Sequence, residues 1–189
     1  MSKFEFTRRG LIKSGAAVGA GLAMPTLLTR PAFSYTNEPK GGTVTLGFNV
    51  PQSGPYADEG ADELRAYELA VEHLNGGGDG GMMGTFSSKA LKGTGILGKK
   101  VAFVTGDTQT KSVAARASAK SMLEKDGAVM ITGGSSSGVA IAVQGLCQEA
   151  GVIFMAGFKH SNDTTGKDKK ANGFRHFFNG YMSGAALAP

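Results

Sequence analysis

Apolar residues recur at two different spacings along this chain. Thr43-Val44-Thr45-Leu46-Gly47-Phe48-Asn49-Val50 places them in part at every second position, the period of a strand with one buried face. From about Asp58 to Leu74 the spacing becomes three and four, with Leu64, Tyr67, Val71 and Leu74 on one helical stripe. Glu63, Glu68 and Glu72 fall off that stripe, mostly on positions facing water, and Asn75-Gly76 ends the helix. Val101 to Thr105 reads as a second strand, and Lys111 to Lys125 as a helix with Ala115, Ala119 and Met122 aligned. Ala128 to Thr132 is a third, buried strand, followed by a helix whose Val139, Ala142, Val143, Leu146 and Ala150 recur at helical spacing. Val152 to Met155 and Phe174 to Phe178 complete the strands, and Gly180 to Ala188 begins a last helix. This alternation predicts βαβ units. The fold class is therefore α/β, an open and mostly parallel sheet with helices on both faces.

In open sheets of that kind, ligands sit beyond the carboxyl ends of the strands. Four turns are predicted there, at 51–56, 107–110, 133–138 and 156–162, rich in glycine and hydroxyls, with Tyr56 and Phe158 as their aromatics. That chemistry suits a small polar ligand such as an amino acid. The third turn, Gly133-Gly134-Ser135-Ser136-Ser137-Gly138, joins a strand to a helix. The first N–H groups of a helix lack partners within it and carry the positive end of its dipole. With glycines that admit a ligand to the backbone and three hydroxyl donors, the turn suits a carboxylate or another anionic group. A serine N-cap preceded by flexible glycines explains the same residues, and the residues alone leave both readings open.

Charge and composition narrow the classes. The net charge is +5, but residues 1–34 hold Lys3, Arg8, Arg9, Lys13 and Arg30 against Glu5, so the leader carries +4 of it. The remainder is close to neutral, which removes a nucleic-acid partner. Thr7-Arg8-Arg9-Gly10-Leu11-Ile12-Lys13 precedes a weakly apolar run from Gly15 to Leu28 that Pro25 interrupts. The paired arginines, the apolar residues after them and Lys13 resemble a twin-arginine export signal. A basic amphipathic helix is the plainer reading of the same stretch. Ala32-Phe33-Ser34 offers small residues to a signal peptidase, with cleavage expected after Ser34. Residues 35–189 then form the mature part, exported by the twin-arginine translocase to the periplasm.

Other candidate chemistry is thin. Cys147 is the single cysteine and falls one residue past Leu146, where a buried, inert thiol is expected. His73, His160 and His176 are too scattered for metal-ligand spacing, so neither a metal nor a cofactor is expected. Residues 76–98 form a long glycine-rich excursion, functional or mobile. Its end, Gly93-Thr94-Gly95-Ile96-Leu97-Gly98-Lys99-Lys100, comes close to a phosphate-binding loop, but Lys100 stands where Ser or Thr must reach magnesium. The stretch also enters a strand where such a loop enters a helix.

Several stretches together resemble the type I periplasmic binding proteins, in particular the leucine/isoleucine/valine-binding branch that serves ABC importers. They are Gly47 to Gly60 with Ser53-Gly54-Pro55-Tyr56-Ala57, then Ala70 to Asn75, Gly106-Asp107-Thr108-Gln109, Gly133 to Ala142, and Phe174-Arg175, in family order. The resemblance implies two α/β lobes closing on an amino acid, with no enzymatic activity, and delivery to an ABC permease in the inner membrane. Family members hold the ligand's carboxylate and amine with a serine of the serine run and with groups after the next strand. Carried over, these are Ser135, Ser136 or Ser137, the backbone of Phe158, and His160. His160 stands where the branched-chain binders carry a threonine, and Glu59 where they carry an aromatic that packs on the ligand. A Glu59 that points inward implies a polar or cationic ligand; one that points outward is a solvated first-turn residue. Such proteins are much longer than this chain, which is expected to be their first lobe, with weak or no binding by itself.

A reading from another class competes. Gly134-Ser135-Ser136-Ser137-Gly138 fits the nucleophile elbow of α/β-hydrolases, with Ser136 attacking, His176 as base and Asp163 orienting it. Against it, the whole triad must fit into the chain after a third strand, and no oxyanion-type glycine run follows an earlier strand. A ligand-sensing receptor lobe of the same fold is a third possibility.

Overall fold

Strand β1 (Thr43–Val50) is an inner strand of the sheet, paired on both sides. A computed structural model describes residues 37–39, 41–76 and 94–188. Residues 1–34, where an export signal is expected, and residues 77–93 of the glycine-rich excursion lie outside the described residues. Strand β1 runs in register with β2 (Lys100–Asp107) from Thr43 opposite Lys100 to Val50 opposite Asp107. On its other side it meets β3 (Met130–Gly133), followed by β4 (Ile153–Ala156) and β5 (Gly173–Arg175). The order is β2-β1-β3-β4-β5, and every pairing is parallel. Antiparallel strands can turn back in two residues, whereas parallel ones need a crossover, and the first three crossovers here each carry a helix that packs on a face of the sheet.

The alternation in β1 decides which face. Val44, Leu46 and Phe48 pack with Val71 of helix α1 (Ala57–Leu74) and with Val101. The Phe48 ring lies 4.8 Å from that of Tyr67 and stacks on Phe103 at 5.1 Å. The opposite face carries the larger core. There Ala115, Ala119, Met122 and Leu123 of α2 (Ser112–Glu124) pack with Val139, Ala140, Val143 and Cys147 of α3 (Ser137–Ala150), over Ile131 and Phe154. The polar side of β1 is satisfied rather than avoided: the buried Asn49 donates from Nδ2 to Ala115 O (2.8 Å) and accepts from Ser118 Oγ (2.6 Å). A 3-10 turn at Asn162–Thr164 and helix α4 (Gly180–Leu187) complete the described elements.

Three expectations shift. Glu63 is not water-facing but 1% exposed, because the first half of α1 lies over polar turns instead of apolar strand. In α3 the buried stripe runs through Val139, Ala140, Val143, Gln144 and Cys147, whereas Leu146 and Ala150 are only partly buried. Gln144 is tolerated inside because Nε2 donates to Thr164 O and Asp168 O, stitching the helix to the segment after β4. The last strand ends at Arg175, so Phe177 and Phe178 lie beyond it. Cys147 is the inert thiol expected, its pKa pushed up to about 12 by burial.

Ile131 is fully buried at the centre of the larger core. An Ile131→Ala change is expected to cost roughly 2–5 kcal/mol through lost transfer energy and a residual cavity. Urea titration checks it: the midpoint should fall at unchanged slope, and a loss below about 1 kcal/mol would contradict this packing.

Candidate functional site

Because all five strands are parallel, their carboxyl ends share one edge, and the turns that follow them converge there. The first two turns are clasped together. Asp107, at the end of β2, accepts from the amides of Gln52 (2.9 Å), Ser53 (3.2 Å) and Gln109 (2.8 Å), and from Ser53 Oγ. Partial burial opposes its charge, but the bonds from Ser53, Gln109 and Gln52 win and hold the carboxyl below its ordinary range. The clasp also accompanies two successive left-handed residues, Gln109 and Thr110, a conformation that side-chain-bearing residues seldom adopt.

The third and fourth turns are joined by a buried amine. Lys159 has no exposed surface, and its Nζ donates to the carbonyl of Gly133. Gly133 adopts a φ of +110°, and a Cβ there would stand 2.7 Å from Asn49 O, so the turn requires glycine on both counts. Burial lowers the Lys159 pKa to about 7, with Glu63 opposing that shift and Arg175 adding to it. Glu63 responds in the opposite sense: burial raises its pKa, against the Tyr67 hydroxyl and the Lys159 charge. The Tyr67 hydroxyl donates to Glu63 Oε1 at 2.7 Å, and Gly157 leaves the space this carboxylate occupies, since a Cβ there would lie 2.3 Å from Oε1. Glu63 Oε2 and Ser135 Oγ are buried and make no hydrogen bond of normal geometry, although Ser135 lies close enough to the carboxylate to favour its charge. Arg175 holds the turn from the far side by donating to the carbonyls of Lys159 and Ser161.

Above this polar floor opens a cavity of about 460 Å³. Tyr56, Glu59 and Asp62 line it from the start of α1, Ser135 from the turn after β3, Phe158 and His160 from the turn after β4, and Phe177 from beyond β5. Another hollow of about 340 Å³, near Asn37, Thr43 and Asp126, sits at the amino end of β1, away from these turns. Five of the seven residues proposed from sequence thus share one cavity, and Glu59 is among them. Ser136 and Ser137 are not in its lining: Ser136 is the N-cap of α3, without a side-chain capping bond, and Ser137 Oγ accepts from Ser161 N at 3.3 Å. The Phe158 ring is one of the lining groups and meets that of Phe177 edge-on at 5.1 Å. The sequence reading missed Asp62 and Phe177. Asp62 is one helical turn past Glu59, and Phe177 was assigned to a strand that stops two residues earlier.

The hydrolase constellation does not assemble. Among the described residues no hydrogen bond joins Ser136, Asp163 and His176. Ser136 has ordinary extended angles (φ −95°, ψ 131°) where an elbow demands a strained turn, and Asp163 is tied by its amide to Ser161 Oγ. Among the described residues no group of His, Cys, Asp or Glu could hold a metal ion, and no helix is long and apolar enough to cross a membrane.

The described residues thus form a parallel α/β sheet whose carboxyl edge carries a ligand-sized cavity. The chain belongs to the periplasmic binding protein family, whose profile matches residues 43–189. Among solved structures it resembles a leucine-binding protein from Thermotoga maritima (20% identity, TM-score 0.61, covering 77% of this chain and 35% of that one). It also resembles the branched-chain amino acid substrate-binding protein LivJ of Streptococcus pneumoniae with isoleucine (22%, 0.57, 72% and 34%). A solute-binding protein from Rhodopseudomonas palustris with 3,4-dihydroxybenzoic acid is similar to the same degree (19%, 0.58, 74% and 33%). These likenesses establish the fold, and the chain spans about a third of the length of those structures. No curated protein matches it in sequence.

The buried amine yields a pH prediction. A lysine whose folded pKa lies below its unfolded value destabilises the fold when charged, so the associated stability is complete above pH 10.5 and is lost as the pH falls to about 7. Stability should therefore rise with pH across that window, and Lys159→Met should flatten the rise. Melting temperatures between pH 6.5 and 10 test this; an equal slope in both proteins would refute it.

Proposed function

We propose that this chain is the first lobe of an extracytoplasmic solute-binding protein of an ABC importer, which closes with a second lobe on an amino acid or a similar small polar solute. The observation that carries the reading is the cavity at the carboxyl edge of the sheet, where side chains from four separate segments meet in a member of the periplasmic binding protein family. Residues 1–34 serve as a twin-arginine signal removed after Ser34, residues 35–189 form the lobe, and the protein works in the periplasm without enzymatic activity. Its partners are the solute, an inner-membrane permease, the twin-arginine translocase and signal peptidase.

The neighbours bound to isoleucine and to a dihydroxybenzoate mark out two solute classes for a first screen. A thermal-shift panel on the full-length protein, spanning amino acids, amides, amines and aromatic acids, should give one responsive class. At about 100 times its dissociation constant a ligand adds about 2.7 kcal/mol to the folded state, a clear rise in melting temperature. A flat panel together with ester hydrolysis abolished by Ser136→Ala would replace this reading with the hydrolase.

The export route has its own test. Changing both Arg8→Lys and Arg9→Lys should hold a reporter fused after Ser34 in the cytoplasm, as fractionation would show. Export unchanged by the double substitution would exclude the twin-arginine route.

A further inference from the structure

The lining of the cavity is chemically one-sided. Four rings line it (Tyr56, Phe158, His160 and Phe177), and Phe158 and His160 both pack on Phe177 to form an aromatic wall. The ring of His160 stacks on Phe177 at 5.3 Å and on Phe178 at 4.9 Å, while Phe177 and Phe178 lie 4.1 Å apart. Two carboxylates stand on the α1 side, Glu59 and Asp62, and among the described residues no lysine or arginine lines the space.

The cationic side chains around the cavity are already committed, Arg65 to the lining carboxylate of Asp62 among them. Lys159 is buried below, on the Gly133 carbonyl, and Arg175 is engaged with the carbonyls of Lys159 and Ser161. The carboxylates differ. Asp62 forms a solvent-exposed pair with Arg65 at 2.5 Å, whereas Glu59 has no hydrogen-bond or ion-pair partner among the described residues. Under the floor, the buried Glu63 keeps Oε2 without a partner, close to the unpartnered hydroxyl of Ser135.

An anionic solute would meet the unpaired carboxylate of Glu59 and no free cation among the described lining residues, since Arg65 is already paired with Asp62. A purely aliphatic one would cover the rings but leave Glu59 facing hydrocarbon. A cation suits both halves of the lining: aromatic faces carry negative quadrupole density that attracts ammonium and guanidinium groups, and a carboxylate at the rim supplies the counter-charge.

We propose that the solute this cavity selects carries net positive charge as an organic ammonium or guanidinium group, held against the aromatic wall with Glu59 as its counter-ion. The inference rests on the reading of the chain as a solute-binding lobe and narrows its ligand class. Glu59 is then the residue that sets specificity, and recognition weakens with salt because the rim is open to solvent.

Isothermal titration of the full-length protein with L-arginine, L-lysine and choline, against L-leucine and 4-hydroxybenzoate, tests it. At least one cationic probe should bind ten-fold or more tightly than both controls, and Glu59→Gln should weaken it about ten-fold. The exposed position of Glu59 leaves the fold of that variant intact, which an unchanged melting temperature of the free protein would verify. Leucine or 4-hydroxybenzoate binding as tightly as the cations would overturn the cationic class while leaving the solute-binding reading in place. A cation whose affinity Glu59→Gln does not change would remove Glu59 from the site. Silence from all five probes also overturns the inference; the broader reading falls only if the full thermal-shift panel is silent too.

Discussion

The parallel run of all five strands is the constraint from which the rest follows. A parallel pair cannot be closed by a tight turn, so each strand hands over to a crossover that returns the chain to the opposite edge. One edge therefore collects every carboxyl end, and with it the segments after β1, β3, β4 and β5 that line the cavity. The two-sided pairing of β1 fixes the geometry of this edge. Its eight-residue register with β2 brings Asp107 beside the first turn, and its contact with β3 brings Gly133 against the backbone of Asn49. A slip of one residue would turn every inward side chain of β1 to the wrong face.

Beneath the cavity the interior is polar rather than oily. Glu63, Tyr67, Thr132 and Lys159 occupy volume that aliphatic side chains would fill in an ordinary core, and Thr132 Oγ1 lies 3.2 Å from the Tyr67 hydroxyl and 2.9 Å from Met155 O. A buried charge is costly unless it is paired or bonded, so this layer opposes folding in part. Its return is positional. The Lys159 amine locks the turn bearing Ser135 to the turn bearing Phe158 and His160, and Arg175 anchors the second turn to the end of β5. The side chains that face the cavity can therefore be short or weakly tethered themselves, because the backbone that carries them is held from below.

The sheet was legible because the spacing of apolar residues is a local signal. Thr43 to Val50 alternates, Ala115, Ala119 and Met122 align, and the structure follows both. The convergence of turns was legible too, since it depends only on alternating strands and helices. Glu63 was not. Nothing in its helix says that Gly157, almost a hundred residues later, leaves room for a carboxylate, or that Lys159 faces it. The division among the three serines was equally hidden: whether a residue lines a cavity, sits at a helix N-cap without bonding through its hydroxyl, or meets Ser161 depends on a register that tertiary contacts set. Phe177 was missed because a run of aromatics near a strand reads as more strand, although two residues past its end the same ring becomes part of a wall.

Asn75 has a bearing on how the sheet keeps its register. Its carboxamide behaves like one more residue of the sheet edge: Nδ2 donates to Val101 O and Oδ1 accepts from Val101 N, both at 2.8 Å, just where α1 ends and β2 begins. Gly95 N donates to Leu74 O alongside. The two ends of the glycine-rich excursion are thereby buttoned together independently of what lies between them. The start of β2 is thus fixed by the last residues of α1 directly, so a side-chain amide at the amino end of the strand helps to hold the register that delivers Asp107 to the ligand edge at its far end.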